Sequence, residues 1–266
     1  MVLESIFDTK KLLERPFYLF GLVIVISLIG LLTSFLLFPD YFGVMSIAFI
    51  ALLLFPLLHN IFTGSAENHF KKSRIDFVLI FKQHYPIFKT FAILMLAVFV
   101  VFLALGIVFT PEMSAKLFKE QLGLVEDSVN TVSGFNFHAI AQNNVRVVFI
   151  TFGISLIYGA GVIIMISWNA SVWGVIIGSS IRKGISLTGS SALAYIAAQL
   201  AQIVPHMILE SLAYLGAAIS GGLLAICVVF QNIHSKRFVY TITDSLFVLT
   251  LSIILILLSA IIEINI

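Results

Sequence analysis

Charged residues are what this sequence has least of. Asp, Glu, Lys and Arg make up 11% of the 266 residues, whereas a soluble globular domain carries roughly 25%. The formal net charge is +2, so the chain also lacks the basic excess that binding to nucleic acid requires. The composition therefore argues against an ordinary soluble domain, and we expect no nucleic-acid partner.

Cysteine and catalytic signatures are scarce as well. The single cysteine, Cys227, excludes an intrachain disulfide and a thiolate metal cluster. Neither the HExxH pattern of zinc proteases nor the GxSxG pattern of serine hydrolases occurs. The sequence leaves enzymatic activity open but favours a protein that is not an enzyme. It predicts no cofactor.

Long apolar runs dominate what is present. Hydrophobic residues make up 60% of the chain, and several runs approach or exceed the ~20 residues that span a bilayer. We predict one all-α, multi-pass transmembrane bundle over residues 1–266, in contact with the lipid bilayer of the cell membrane. We count about six spans. Five of them are the runs 16–38, 44–62, 86–109, 191–230 and 242–262, and the remaining one is the run 144–168, which continues through 163–177.

The polar segments between these runs predict the topology. Residues 1–15 read as an amphipathic segment on the membrane surface or as a solvated tail. The cation-rich segment 63–89 is predicted to be cytoplasmic, and segment 110–142, with a net charge of −2, to be external. The same bias puts the N-terminus in the cytoplasm and the loop after Arg182 and Lys183 inside.

The run Ser191–Phe230 is too long for one span, since it holds twice the residues that a bilayer crossing needs. The polar segment that follows it carries Lys236 and Arg237. If both flanks are inside, the run must enter and leave on the same side. We therefore expect a re-entrant or broken helix near Pro205.

Polar side chains within the last third of the chain form the candidate site. Gln202, His206 and Glu210 are four residues apart and lie on one stripe of a helix. Ionisable groups at membrane depth are expensive and mark a functional site by default. The predicted intramembrane polar cluster consists of Asn143, Asn144, Asn169, Gln202, His206 and Glu210.

Three interpretations of His206 and Glu210 remain open. They could hydrogen-bond to each other or to the three asparagines and fix one packing of the bundle. They could bind a small polar ligand, a lipid headgroup or a proton. They could belong to a metal or catalytic centre, but zinc requires three or four ligands and only these two are close in sequence. We assign no catalytic and no metal-binding residue.

Small residues predict close helix packing at two places. Gly174 and Gly178 form one small-residue ridge, and Ala217 and Gly221 form another. Such ridges let helix backbones approach each other in a membrane. They serve packing within one chain as readily as packing between chains, so a homo-oligomer stays open.

Several of these residues occur in the order of a known family. The sequence resembles the stage II sporulation protein M (SpoIIM-like, DUF95) integral membrane family, whose pattern reads NN, then NG with a later G, then PHGxxE and an Ala/Gly-rich stretch. The matching elements are Asn143-Asn144, Gly153 and Gly159, Asn169 with Gly174, Pro205-His206 with Glu210, and residues 217–223. The resemblance covers a family-like core at 143–230. Ala170 and Met207 replace two glycines of the pattern.

The resemblance implies a membrane core with a place for partners, and it supplies no reaction. The best-known member of the family acts as a membrane scaffold for peptidoglycan-remodelling hydrolases during spore engulfment. We therefore expect a scaffold or partner-binding component in cell-envelope remodelling, with membrane or envelope proteins as partners. The alternative is a transporter or lipid-handling protein with a polar intramembrane site at His206 and Glu210.

Overall fold

A computed structural model describes residues 14–69, 77–123, 137–158, 162–187, 191–232 and 234–265. Every regular element in these ranges is helical. A short 3₁₀ turn at Pro39–Tyr41 separates the first two of eight α-helices. The helices are α1 (Pro16–Leu37), α2 (Phe42–His69), α3 (Phe77–Val108), α4 (Pro111–Leu117), α5 (Phe137–Tyr158), α6 (Ile163–Ile185), α7 (Ser191–Phe230) and α8 (Lys236–Asn265).

Seven of these helices, all except α4, are long and apolar enough to cross a membrane. The all-α polytopic bundle predicted from the apolar runs is confirmed. The count is seven where the sequence suggested about six, because the run 144–168 with its continuation is divided between α5 and α6.

The polar segments hold more helix than the sequence predicted. The expected interfacial segment 1–15 lies almost wholly outside the described residues, as do residues 70–76 of the predicted loop 63–89 and residues 124–136 of the predicted loop 110–142. In the described parts, α2 continues to His69 and α4 follows directly after α3.

The long run at 191–230 is one continuous helix of 40 residues with Pro205 inside it. The predicted re-entrant or broken helix is therefore wrong. Proline removes a single hydrogen bond from a helix, and here the neighbouring helix α8 packs against the same turn. At 1.5 Å per residue the helix is about 60 Å long, about twice the thickness of the hydrocarbon core.

The two ends of the bundle are identified by contacts between distant residues. Gln121 Nε2 donates to the carbonyl of Gly43 (3.1 Å). Arg182 Nη1 donates to Ser114 Oγ (3.0 Å) and to the carbonyl of Phe109. We call this the Thr110 end, and the opposite end, where α1 begins, the Arg15 end.

Arg182 thus lies at the same end as the segment that begins at Thr110. The sequence analysis put the loop after Arg182 on the side of segment 63–89, and the structure corrects this. The sequence analysis counted one span where the structure has two helices, α5 and α6, each long and apolar enough to cross. The chain has one more crossing before Arg182 than the charge pattern alone suggested.

Helices α1, α2, α3 and α6, with the short α4, form what we call the four-helix unit. Backbones touch in it at glycines: a Cβ atom on Gly174 would lie 2.8 Å from the carbonyl oxygen of Phe99, and one on Gly178 would lie 2.5 Å from that of Leu103. The predicted ridge of α6 therefore lies against the backbone of α3.

Helices α5, α7 and α8 form the three-helix unit. Ser155 Oγ donates to the carbonyl of Ala218 (2.6 Å), which joins α5 to α7. A Cβ atom on Gly221 would collide with the carbonyl of Phe152, so the second predicted ridge also lies at a backbone contact. Ala217 is fully buried in the small apolar core of this unit.

Candidate functional site

The candidate site centres on a hydrogen bond between Asn144 and Glu210. Asn144 Nδ2 donates to Glu210 Oε1 at 2.7 Å. Asn144 lies two turns into α5 and Glu210 lies halfway along α7, and these helices run in the same direction. Both side chains are buried, with exposures of 7% and 6%, so the bond lies in a medium of low dielectric constant, where it is strong.

Asn143 extends this bond towards the edge of the bundle. Its Nδ2 donates to Asn144 Oδ1 at 3.3 Å, and its side chain is exposed. Because Asn144 both accepts and donates, the two asparagines and Glu210 form a chain of polar groups from the surface to the buried carboxyl group.

His206 lies one turn before Glu210 and faces a different neighbour. Its ring contacts Trp173 of α6 edge-on, with ring centroids 5.5 Å apart. Its backbone carbonyl accepts a hydrogen bond from Ser259 Oγ of α8 (3.0 Å). His206 therefore touches the two helices that flank α7, one through its ring and the other through its backbone.

The ring nitrogen Nδ1 of His206 is buried without a hydrogen-bond partner among the described residues. The backbone carbonyl of Gln202, one turn earlier, lies close enough to the ring of His206 to interact with it as an acceptor. Buried polar atoms of this kind are few in native proteins, and each one calls for an explanation.

Two predicted members of the cluster lie apart from this chain. Asn169 Nδ2 donates to the carbonyl of Met165 in its own helix (2.8 Å). The side chain of Gln202 is exposed. The six residues predicted from the sequence are therefore divided. Asn143, Asn144 and Glu210 are joined and His206 adjoins them, whereas the side chains of Asn169 and Gln202 have no described hydrogen bond to Glu210 or His206.

Two residues at the site were not predicted, and both come from α8. The hydroxyl group of Ser259 lies against the carboxyl group of Glu210, and the carboxyl group of Glu263 lies within electrostatic reach of it. The buried phenol of Tyr214 lies near both carboxyl groups. Ser245, Ser252 and Ser259 recur every seventh residue. This spacing places them on one face of a helix, so the sequence could have predicted a polar face on α8.

A second buried carboxyl group belongs to Asp244, with an exposure of 6%. It lies roughly four turns before Ser259 along α8, towards the Arg15 end. Asp244 is therefore separate from the site at Glu210.

The chemistry of the site is that of hydrogen bonding and proton binding. Neither Glu210 nor Glu263 has a lysine or arginine within salt-bridge distance in the described part of the chain. Among the same residues, no three His, Cys, Asp or Glu side chains are grouped so that they could hold a metal ion.

Comparison with known proteins matches the chain to one family. The family model SpoIIM, described as Stage II sporulation protein M, matches residues 95–266. The match begins within α3 and includes all of α4 to α8, and so contains every residue of the site. No curated protein and no solved structure matches the chain. Because the match covers more than half of the sequence, the chain belongs to the SpoIIM family of multi-pass membrane proteins.

Proposed function

We propose that this SpoIIM-family protein is a scaffold or partner-binding component in cell-envelope remodelling, located in the cell membrane. The observation that supports this most is the closed Asn144–Glu210 bond. Asn144 and Glu210 join α5 to α7, and Ser259 joins α8 to α7 through the carbonyl of His206. A site that binds substrate would need these groups to face a ligand.

The burial of the site points in the same direction. Glu210 is covered by Asn144, and the ring of His206 is covered by Trp173. A satisfied polar network in a core specifies one packing of the surrounding helices. A single rigid packing suits a protein whose surface has to present a fixed shape to partners.

We further propose that the Arg15 end is cytoplasmic and the Thr110 end is external. The segment 63–89, which includes the end of α2 and the start of α3, carries five cations and two anions, and an excess of cations favours the cytoplasmic side. The N-terminus is then cytoplasmic, and the external surface contains α4 and the Pro39–Tyr41 turn. An envelope partner outside the cell would meet that surface.

Affinity purification in a mild detergent tests the scaffold function. The wild-type protein, Glu210→Ala and Glu210→Gln are tagged, cross-linked in cells, purified and analysed by mass spectrometry. We expect envelope proteins to co-purify with the wild type and with Glu210→Gln, which keeps an oxygen that Asn144 can bond. Glu210→Ala should lose them, because the unpaired Asn144 disturbs the packing of α5 on α7.

A polytopic membrane protein of unrelated family, with the same tag, is the control for detergent-dependent association. The scaffold function is rejected if the wild type purifies as a monodisperse protein with the partners of that control alone.

A transporter or lipid-handling function is the second candidate, favoured by the proximity of Glu263 to Glu210. Two carboxyl groups near each other without a cationic partner favour binding of a proton or another cation. Proteoliposomes that contain a pH-sensitive dye test this: a pH gradient should decay faster with the wild type than with Glu210→Gln. Decay equal to that of empty liposomes would exclude proton transport.

A further inference from the structure

We propose that the outward face of α5, centred on Arg146, binds a transmembrane helix of another protein that carries a carboxylate halfway along its length. Gln142 and Asn143, about one turn before Arg146, and Gly153, about two turns after it, lie on the same side of the helix. We call these four residues the α5 face. The proposal rests on the proposed scaffold function, because it assigns the place and the chemistry of partner contact within the membrane.

Arg146 lies in the middle of a membrane span. It is the tenth residue of the 21-residue span Phe137–Ile157. Asn144, two residues earlier, bonds to Glu210, which lies halfway along the 38-residue span of α7. A charged side chain at this depth is costly unless it is paired or hydrated, and it marks a functional site by default.

The Arg146 side chain points away from the bundle. An α-helix turns roughly 100° per residue, so Arg146 lies about 200° around α5 from Asn144, which faces Glu210. The side chain is exposed. Within the part of the chain that the structure describes, its guanidinium group has no hydrogen bond and no ion pair. The cation is therefore left for a group outside this chain.

A lipid phosphate lies too far from Arg146 to be that group. The headgroups lie outside a hydrocarbon core about 30 Å thick, so its centre is about 15 Å from either layer of phosphates. Long basic side chains reach headgroups from positions near helix ends, as Lys89 and Arg182 do within four residues of their span ends. Arg146 is more than two turns from either end of α5. A carboxylate on another transmembrane helix can lie at its depth and pair with it.

A second copy of this chain does not supply such a carboxylate. A two-fold axis through α5 would bring Arg146 beside its own copy, and like charges repel. The carboxyl groups of Glu210 and Asp244 are buried. Those of Asp40 and Glu263 lie within two residues of a span end. The charge of the α5 face therefore fits a helix of a different protein.

The rest of the α5 face also fits a packed helix. Gln142 and Asn143 are exposed and carry amide groups, which form hydrogen bonds between helices in membranes. A Cβ atom on Gly153 would meet nothing within 4 Å, whereas one on Gly221 would collide with a neighbouring backbone. Gly153 is thus not needed for packing among the described residues. On an outward face a glycine lets the backbone of a second helix come close.

Association with a synthetic helix of defined sequence tests the proposal. The probe is a leucine-based transmembrane peptide of about 20 residues with glutamate at its centre, and the matched control peptide has leucine there. The full chain carries a donor dye, each peptide carries an acceptor dye, and energy transfer is measured in phosphatidylcholine nanodiscs. We expect the glutamate peptide to associate at least about tenfold more strongly than the leucine peptide, because it pairs with a charge that is otherwise unpaired in the membrane.

Substitutions locate the binding on the α5 face. Arg146→Leu should abolish the preference for the glutamate peptide, and Arg146→Lys should retain most of it. Lys116→Leu is the control, since it removes an exposed cation from α4, outside the spans, and should behave like the wild type. If Arg146→Leu does not fold, Gly153→Leu replaces it and should weaken binding of the glutamate peptide by blocking close approach. The proposal is overturned if both peptides bind equally, or if neither Arg146→Leu nor Gly153→Leu reduces the preference.

Two other outcomes would assign the α5 face to another occupant and overturn the proposal. Displacement of the glutamate peptide by phosphatidylglycerol in the nanodiscs, in the wild type but not in Arg146→Lys, would identify an anionic lipid. Energy transfer between two labelled copies of the chain that Arg146→Leu abolishes would identify a second copy. Binding of the glutamate peptide without co-purification of envelope proteins would reject the scaffold function alone. Co-purification without a preference for the glutamate peptide would reject the role of the α5 face alone.

Discussion

Ser220 of α7 and Ser245 of α8 bond to each other's backbone, each hydroxyl group donating to the other residue's carbonyl oxygen. Both side chains are fully buried. The reciprocal bond fixes the register of the two helices, since a shift by one residue would leave two hydroxyl groups in an apolar core. On the same face of α8, Ser252 packs against Gly216. Ser259 donates a hydrogen bond to the carbonyl of His206.

Removing one of these hydroxyl groups should destabilise the bundle modestly. Bonds of this type in membrane proteins contribute about 0.6 kcal/mol on average and up to about 1.7 kcal/mol. We expect Ser245→Ala to lower the free energy of unfolding within this range in detergent titrations. Thr250→Ala is the control, because the exposed Thr250 hydroxyl bonds to the carbonyl of Leu246 in its own helix. Equal effects of the two substitutions would argue against a special role of the α7–α8 bond.

Glycine substitution should distinguish backbone contact from open space. Gly178→Ala places a Cβ atom 2.5 Å from the carbonyl oxygen of Leu103, and overpacking of this kind costs about 1–3 kcal/mol. We expect a lower unfolding temperature and a lower yield of folded protein. Gly153→Ala is the matched control, since nothing lies within 4 Å of its added Cβ atom. There the higher helix propensity of alanine should leave stability unchanged or raise it.

The bond between Asn144 and Glu210 can be tested by isosteric replacement. Glu210→Ala leaves the buried Asn144 amide without its acceptor, at a cost of about 1–3 kcal/mol. Glu210→Gln retains an oxygen at that place and should lose less. Thermal unfolding of the wild type, Glu210→Ala, Asn144→Ala and the double variant with both substitutions forms a double-mutant cycle. A coupling energy near zero would show that the bond contributes nothing to stability.

The all-α, multi-pass bundle could be predicted from the sequence, because long apolar runs indicate helices that cross a membrane. The sequence grouped Asn144 and Glu210 in one polar cluster but left open which members pair, and their role remains a prediction. The prediction of a break at Pro205 was wrong, because the loss of one hydrogen bond does not end a helix that is packed on its neighbours.

Other features depend on the packing and could not be read from the chain. Glu263 near the end of α8 is indistinguishable in sequence from a carboxylate at the membrane surface. Asn169 was expected to join the cluster, but its side chain bonds to the carbonyl of Met165, an option available to any asparagine in a helix. The division between α5, which ends at Tyr158, and α6, which begins at Ile163, was not predicted because both sides of it are apolar.

Glu112 provides a test of pH dependence outside the membrane spans. Its own backbone N–H at the start of α4 and the Thr110 hydroxyl group hold the pKa of its carboxyl group below the ordinary value of 4.5, with Arg182 nearby. A lowered pKa means that ionised Glu112 stabilises the start of α4 above pH 4.5, and that this contribution is lost as the pH falls through the lowered value. Carboxyl ¹³C NMR should show that Thr110→Val moves the pKa back towards 4.5. A Thr110→Val titration identical to that of the wild type would refute the role of the hydroxyl group.

Topology reporters can decide between seven crossings and six. With the N-terminus in the cytoplasm, seven crossings place residue 265 outside the cell, whereas six would return it to the cytoplasm. We expect alkaline phosphatase fused after Asn265 to be active and green fluorescent protein fused there to be dark, because the first folds outside and the second inside. Fusions after His69 are the control and should give the opposite pattern, since α2 ends at the proposed cytoplasmic face. Fluorescence from the fusion after Asn265, with the control behaving as expected, would mean that one of the seven helices does not cross the membrane. In that case α7 would be the helix to re-examine, because its length exceeds the hydrocarbon thickness about twofold.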